Sequence, residues 1–230
     1  MADFRTNPFF QPVTVLVGPE RAPVVCIDGF SSDPSMLVTL AAEAAFIDVG
    51  SRYPGVRAPA PQEYVESLLA ATAPIIESAF GSPPASDLEL CAFSMVTTPR
   101  SELRPIQRIP HFDGPDPGRI AFIHYLCAPH QGGTAFYRHR STGLALVCAA
   151  RAEEYRTRVV EELRADAPPQ DYVLDDTSYF ERIHSVDAVF NRLIIYKGCA
   201  LHSGDVGERT VLSEDPRRGR LTINGFGFLA

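Results

Sequence analysis

The sequence predicts a mainly β fold of the α+β class, and three observations predict it. From Leu88 onward, short segments rich in β-branched and aromatic residues recur between Pro- and Gly-bearing turns: LELCAFSMVTT, RIAFIHYL, GGTAFYRHR, YFERIHSV, NRLIIYKG and RLTINGFGF. Helical periodicity is confined to three stretches, two of them before residue 88. No internal repeat and no linker of domain-separating length divides the chain. Many short strands at fairly even spacing make a sandwich or barrel. The architecture expected is a double-stranded β-helix, or jelly roll, with the N-terminal helices packed on one side. A chain of 230 residues suits one domain, 1–230, with 1–87 as helical support carrying short strands and 88–230 as the jelly-roll core.

Each element has a local cause. VTVLV (13–17) and PVVCID (23–28) are short strands separated by a Gly-Pro turn. Asp33 before Pro34 starts a helix, because the carboxylate can accept backbone N–H bonds and proline is tolerated in the first turn. Met36, Leu37, Leu40 and Ala44 continue it to about Phe46. Residues 48–61, rich in Gly and Pro, read as a loop. Gln62 to Phe80 reads as a second helix, bent or interrupted at Pro74 and stopped by Gly81. RAEEYRTRVVEELRA (151–165), with Tyr155, Val159 and Leu163 every four positions, is a helical insertion between strands.

Composition narrows the function. A net charge of −7 excludes a nucleic-acid surface, which needs a basic stripe. The local clusters YRHR (137–140) and DPRRGR (215–220) contain Arg217 and Arg218, which read as solvated loop charge. Five scattered cysteines (Cys26, Cys91, Cys127, Cys148, Cys199), odd in number and without a CxxC pair, fit free thiols in a reducing compartment. MADFRTNPFFQP lacks the features of a signal peptide, and no apolar run reaches the ~20 residues that span a bilayer. The expectation is a cytoplasmic protein with no membrane partner.

The chemistry concentrates in RIPHFDGPD and NRLIIYKGCALHSGD. His111 and Asp113 lie two apart in a strand-like segment, so both side chains face one way while Phe112 packs behind. His202 follows the strand NRLIIYKG and can approach from across the barrel. Two imidazoles and one carboxylate suit a non-haem Fe(II) ion and leave positions open. Alone, an HxD pair is weak, since short motifs recur by chance. Of the other histidines, His124 sits on a strand and His130 in a turn, neither with a partner at ligand spacing, and His184 reads as a packing residue. Arg220 and Thr222, again two apart, present a guanidinium beside a hydroxyl, a pair suited to a carboxylate. The alternative is an inward arginine paired with a protein acid.

HFD, the YL…GGTAFY segment, NRLIIYKGCALHSGD and RLTINGF occur in the order seen in Fe(II)/2-oxoglutarate-dependent dioxygenases, and the chain most resembles their prolyl-4-hydroxylase-type branch over roughly residues 88–228. The resemblance implies His111, Asp113 and His202 as iron ligands, Arg220 with Thr222 on the distal carboxylate of 2-oxoglutarate, and Tyr125 bonded to the same cosubstrate. It also implies O2 as the second cosubstrate. Asp113 stands where halogenating relatives carry a small residue, so hydroxylation is expected. Three departures stand out: Arg220 replaces the usual lysine, Ser203, Gly204 and Asp205 follow the distal histidine in place of Val and Pro, and the loop 205–218 is long and must bulge outward.

The expected activity is hydroxylation of a C–H bond in a small molecule, such as an amino acid or secondary-metabolite intermediate. Arg138 or Arg140 would hold an acidic substrate group, with a solvated rim as the alternative. A peptidyl or prolyl hydroxylase, a non-catalytic jelly-roll metal-binding or sensor protein, and a metal enzyme that does not use 2-oxoglutarate are the competing readings. A homodimer stands beside a monomer as the expected state.

Overall fold

The computed structural model describes residues 4–50 and 52–230; residues 1–3 of the N-terminal stretch read above lie outside it. Eleven strands occur among the described residues: β1 (Pro12–Val17), β2 (Ala22–Ile27), β3 (Ile47–Asp48), β4 (Gly55–Pro59), β5 (Leu90–Val96), β6 (Arg119–Tyr125), β7 (Thr134–His139), β8 (Phe180–Val186), β9 (Arg192–Lys197), β10 (His202–Gly204) and β11 (Leu221–Phe228). The helices are α1 (Pro34–Glu43), α2 (Gln62–Phe80) and α3 (Ala149–Ala165). The chain is therefore mainly β with few helices. An eight-stranded sheet runs β1-β2-β9-β6-β11-β5-β4-β3, and a three-stranded sheet runs β10-β7-β8. No described helix is long and apolar enough to cross a membrane.

Alternation along the strands of the large sheet gives it two buried faces. One face carries Ile27, Leu193, Phe122, Ile223, Phe93 and Ala58 and packs on Leu37 and Ala41 of α1 and Leu68 and Ile76 of α2. The other carries Val24, Ile194, Tyr196, Ala121, Ile123 and Tyr125 and packs against Phe136 and Val186 of the small sheet. The Phe136 and Tyr196 rings meet edge to face at 5.2 Å, and the Tyr125 hydroxyl bonds Thr134 Oγ1 at 2.6 Å. Two sheets thus face each other over a thin apolar layer, with helices behind one of them. α3 covers the outside of the small sheet through Ala152, Tyr155 and Val159 against Ala135, Tyr137 and Phe180.

The local causes hold with corrections. Asp33 Oδ1 accepts from the Met36 N–H at 3.0 Å and starts α1, which ends at Glu43, short of Phe46. α2 runs through Pro74 without interruption and stops at Gly81, whose φ of 87° is the left-handed cap. The segment 48–61 is not a loop, because β4 lies within it and pairs along β5. Gly55 is there for close approach: a Cβ at that position would stand 1.9 Å from the Met95 carbonyl oxygen. Pro59 closes the strand, where a missing N–H costs least. The first 61 residues supply four strands of the large sheet as well as helical cover.

The helix-facing side of the sheet also contains His124, which is fully buried. Its Nδ1 lies 3.0 Å from the Tyr64 hydroxyl and its Nε2 3.0 Å from Asn191 Oδ1, so a neutral ring accepts from one and donates to the other. Burial, opposed by the Asn191 bond, pushes its pKa down from 6.5 to about 4. The unfolded chain therefore takes up a proton between these values that the folded protein does not. Stability is intact above pH 6.5 and falls as the pH drops toward 4. The predicted loss is on the order of 3 kcal/mol. Urea unfolding curves measured across this range should show it as a steeper decline for the wild type than for His124→Gln; parallel curves would contradict it.

Candidate metal centre

RIPHFDGPDPGR contains too many prolines to form a ladder, so His111 and Asp113 do not lie on a regular strand as the sequence suggested. His111 instead forms an isolated bridge with His202 at the start of β10. The His111 N–H donates to the His202 carbonyl at 2.9 Å and the His202 N–H to the His111 carbonyl at 2.8 Å. The Asp113 N–H donates to the Gly198 carbonyl at 2.8 Å, in the turn after β9. Phe112 points away and packs edge to face on Tyr155 of α3 at 5.8 Å. One ligand atom from each of His111, Asp113 and His202 can be chosen so that all lie within 4.8 Å of one another.

The three side chains form one cluster. His111 Nε2 is 3.9 Å from Asp113 Oδ1, and His202 Nε2 is 3.8 Å from Asp113 Oδ2. His202 Nδ1 donates to the Ala200 carbonyl at 2.9 Å, which fixes the tautomer and leaves the Nε2 lone pair turned to the cluster. The Tyr196 ring, 4.8 Å from the His202 ring, and Phe136 at 6.4 Å hold it in place. The Asp113 and His202 side chains are 10% and 6% exposed whereas that of His111 is 51% exposed, so the site opens on the His111 side.

Asp113 Oδ2 is buried without a hydrogen-bond partner. A buried polar atom left unmet costs ~1–3 kcal/mol, more when charged. Burial raises the Asp113 pKa, and His202, Arg119 and Arg57 pull it back. The His111 pKa lies well below the ordinary value; enclosure by the surrounding chain is the largest cause, then His202, Arg57 and Arg52. An orphaned carboxylate oxygen facing two imidazoles fits a divalent cation, and with the His/Asp/His donor set it fits Fe(II).

Arg220 enters just before β11 and is 4% exposed. Its Nε and Nη2 donate to the carbonyls of Gly132 (3.0 Å) and Gly133 (2.7 Å), and no ion pair joins it to a carboxylate among the described residues. The glycine pair is required, because a Cβ on Gly132 or Gly133 would stand 1.8 Å from the carbonyl oxygen of Asp205 or Val186. The protein acid that the sequence left open as its partner is not there. Thr222 and Tyr125 stand directly opposite one another across β11 and β6, with Ser94 on the other side of Thr222. The Arg220 guanidinium lies 5.8 Å from the centre of the Tyr125 ring. Thr222 Oγ1 donates to Asn224 Oδ1 at 2.8 Å. Burial raises the Tyr125 pKa far enough to keep it a phenol, with Arg220 as the main opposing influence.

Arg138 and Arg140 are placed elsewhere. Arg138 pairs with Glu181, and Arg140 with Asp176 at 2.7 Å. Phe136 is the β7 residue opposite His202, which leaves the two arginines roughly 7 and 13 Å farther along the strand. Cross-strand acids consume their charge. His139, between them, is buried on α3 and bonds Glu162 at 2.7 Å. The loop 205–218 does not bulge freely: Gln131 bonds the Val211 N–H at 2.8 Å and the Arg218 carbonyl at 2.6 Å and folds it back. Arg217 and Arg218 are exposed.

Three site residues escaped the sequence reading. Arg57 on β4 lies in the row Arg57–Ser94–Thr222–Tyr125 on the sheet face that looks toward the cluster. Its guanidinium stacks 4.2 Å over the Tyr53 ring. Arg119 supports Asp113 from behind, its stem running past Gly198 while its head pairs with Glu89 at 2.7 Å. Arg57 and Tyr53 sit in YPGVRAP, whose composition conceals the strand; only the pairing with β5 discloses it.

Fold and site together define a two-sheet, mainly β protein with a candidate His–Asp–His metal centre. A family model described as a family of unknown function, DUF6445, matches residues 8–227, and the chain belongs to that family. No curated protein matches the sequence. Among solved structures, HygX from Streptomyces hygroscopicus with nickel and 2-oxoglutarate bound is similar at 12% identity and a TM-score of 0.49, over 90% of this chain and 84% of that one. A likeness of that degree fixes neither fold nor activity.

The expected binding behaviour follows from the ligand set. Asp113→Ala and His202→Ala should each weaken Fe(II) or Ni(II) binding by at least ~100-fold, whereas His124→Ala keeps it, as measured by equilibrium dialysis. Equal metal retention in all three would rule out this cluster as the site.

Proposed function

We propose that the protein is a non-haem Fe(II)- and 2-oxoglutarate-dependent oxygenase that hydroxylates a C–H bond of a small molecule. The two facing sheets serve as a double-stranded β-helix in this reading, and the sequence motifs resemble those of the prolyl-4-hydroxylase-type branch. The observation that carries it is the buried, acid-free Arg220, which reaches from the start of β11 to the Gly132 and Gly133 carbonyls beside β7, the strand paired with the β10 that carries His202. A metal site alone would serve many reactions; a metal site with a buried guanidinium awaiting an anion suits a chelating dicarboxylate.

In this reading His111, Asp113 and His202 hold one face of the ion and leave the remaining positions to ligands. Bound Fe(II), with 2-oxoglutarate and O2, supplies the oxidative decarboxylation that yields succinate and CO2 and places one oxygen atom in the substrate C–H bond. The chain's own part is placement. Arg220 takes the distal carboxylate through the N–H groups that the Gly132 and Gly133 carbonyls do not use. Thr222 and the Tyr125 phenol line the path between that carboxylate and the metal ligands. Tyr196, Phe136 and Ile123 keep the floor dry, which strengthens each charge contact above it.

Anaerobic addition of 2-oxoglutarate to the Fe(II) protein should produce a weak visible metal-to-ligand charge-transfer band. Arg220→Gln should bind 2-oxoglutarate at least ~30-fold more weakly with Fe(II) affinity unchanged. Metal binding without the band would overturn the cosubstrate, and an unaffected Arg220→Gln would overturn the role of the arginine.

A further inference from the structure

Arg57 poses a problem that the proposed cosubstrate leaves unsolved. Its side chain makes no hydrogen bond and no ion pair among the described residues, and its Nε is buried without a partner. The neighbouring Tyr53 hydroxyl is likewise buried and unpartnered, with Ser94 alongside, whose own proton goes to the Ala92 carbonyl at 3.2 Å. The guanidinium is clamped over the Tyr53 ring at 4.2 Å and reaches toward Phe226 at 5.9 Å. Its row across the large sheet, Arg57–Ser94–Thr222–Tyr125, lies on the face that also carries Tyr196, whose ring is 4.8 Å from that of His202. The cluster is open to solvent on the His111 side.

Two acid-free guanidiniums therefore flank one metal cluster, Arg220 beside β11 and Arg57 two strands away on β4. Neighbouring strands lie roughly 4.8 Å apart, so the two strands are separated by about 10 Å, with the Arg57 guanidinium 4.2 Å over the Tyr53 ring and that of Arg220 5.8 Å from the Tyr125 ring. In the reading above, one carboxylate of 2-oxoglutarate goes to the metal and the other to Arg220. The ion's two positive charges and the one on Arg220 are balanced by Asp113 and the two carboxylates of 2-oxoglutarate. The single charge of Arg57 is left over.

Resting on that reading, we propose that Arg57, with the Tyr53 hydroxyl, anchors a carboxylate of the primary substrate and so sets specificity for small carboxylic acids, such as free amino acids. A planar guanidinium and one phenolic donor match a planar monoanion. A dianion such as phosphate would bring surplus negative charge beside Asp113. Arg57 thus takes the role that the sequence reading gave to Arg138 or Arg140, both of which already hold protein acids.

The test uses Ni(II)-loaded protein saturated with 2-oxoglutarate, titrated by calorimetry with free L-amino acids and small monocarboxylic acids, each beside its amide. At least one acid should bind, its amide at least ~10-fold more weakly. Arg57→Gln should lose at least ~10-fold in affinity for that acid while its Ni(II) and 2-oxoglutarate affinities stay within about 2-fold of wild type. The proposal is overturned if no acid binds, if acid and amide bind alike, if inorganic phosphate outcompetes the acids, or if Arg57→Gln binds as well as wild type. Failure of 2-oxoglutarate to bind the wild-type Ni(II) protein would count against the cosubstrate reading instead. The acid-against-amide comparison, repeated on the Ni(II) protein alone, would still decide Arg57.

Discussion

The site depends on the pair of main-chain hydrogen bonds that His111 and His202 exchange at 2.9 and 2.8 Å. Ninety-one residues separate the two histidines in sequence. His111 lies in a proline-bounded turn with no ladder of its own, so without this bridge nothing regular would orient its ring. The bridge makes the two residues direct cross-strand neighbours, brings their rings to 4.4 Å, and sets Asp113 two residues on beneath both. The Gly198 carbonyl then fixes the Asp113 backbone from the β9 side. A candidate metal-binding triad is obtained from one bridge and one further hydrogen bond.

The large sheet provides the opposite half of the site by the same economy. Because side chains directly opposite in antiparallel strands share a face, one register places Arg57, Ser94, Thr222 and Tyr125 in a line across four strands. At Tyr125 the line is tied to the small sheet by the hydroxyl's bond to Thr134. Slippage of β11 by one residue would turn Thr222 to the helices and Ile223 to the His111–Asp113–His202 cluster. The Gly132–Gly133 pair adds the last constraint by letting β7 close on the chain after β10 and offering its carbonyls to Arg220.

Much of this was legible in the sequence, for reasons that differ by element. The strands after Leu88 announced themselves through β-branched and aromatic runs between turns, and the cluster of His111, Asp113 and His202 through spacing and order along the chain; Arg220 and Thr222 stood out as a pair two apart, and Tyr125 entered only through the family resemblance. β4 was hidden because its Gly and Pro, which satisfy a close approach and a strand end, are also the residues of loops. Arg57 was lost with it. Arg138 and Arg140 looked available because a sequence shows cations without the acids that fold onto them; Glu181 and Asp176 come from the neighbouring strand and the segment before it. His124, one of six histidines, was correctly set aside for want of a partner at ligand spacing, and the structure gives its actual partners, Tyr64 and Asn191.

The central claim is that one cluster binds the metal while two separate arginines divide the anions between them. A crystal structure of the anaerobic Fe(II) and 2-oxoglutarate complex tests it most directly. The account predicts a single ion bonded to His111, Asp113 and His202, with the distal carboxylate of 2-oxoglutarate on Arg220 and Arg57 left free of it. An ion held elsewhere, or a distal carboxylate seated on Arg57, would contradict the account.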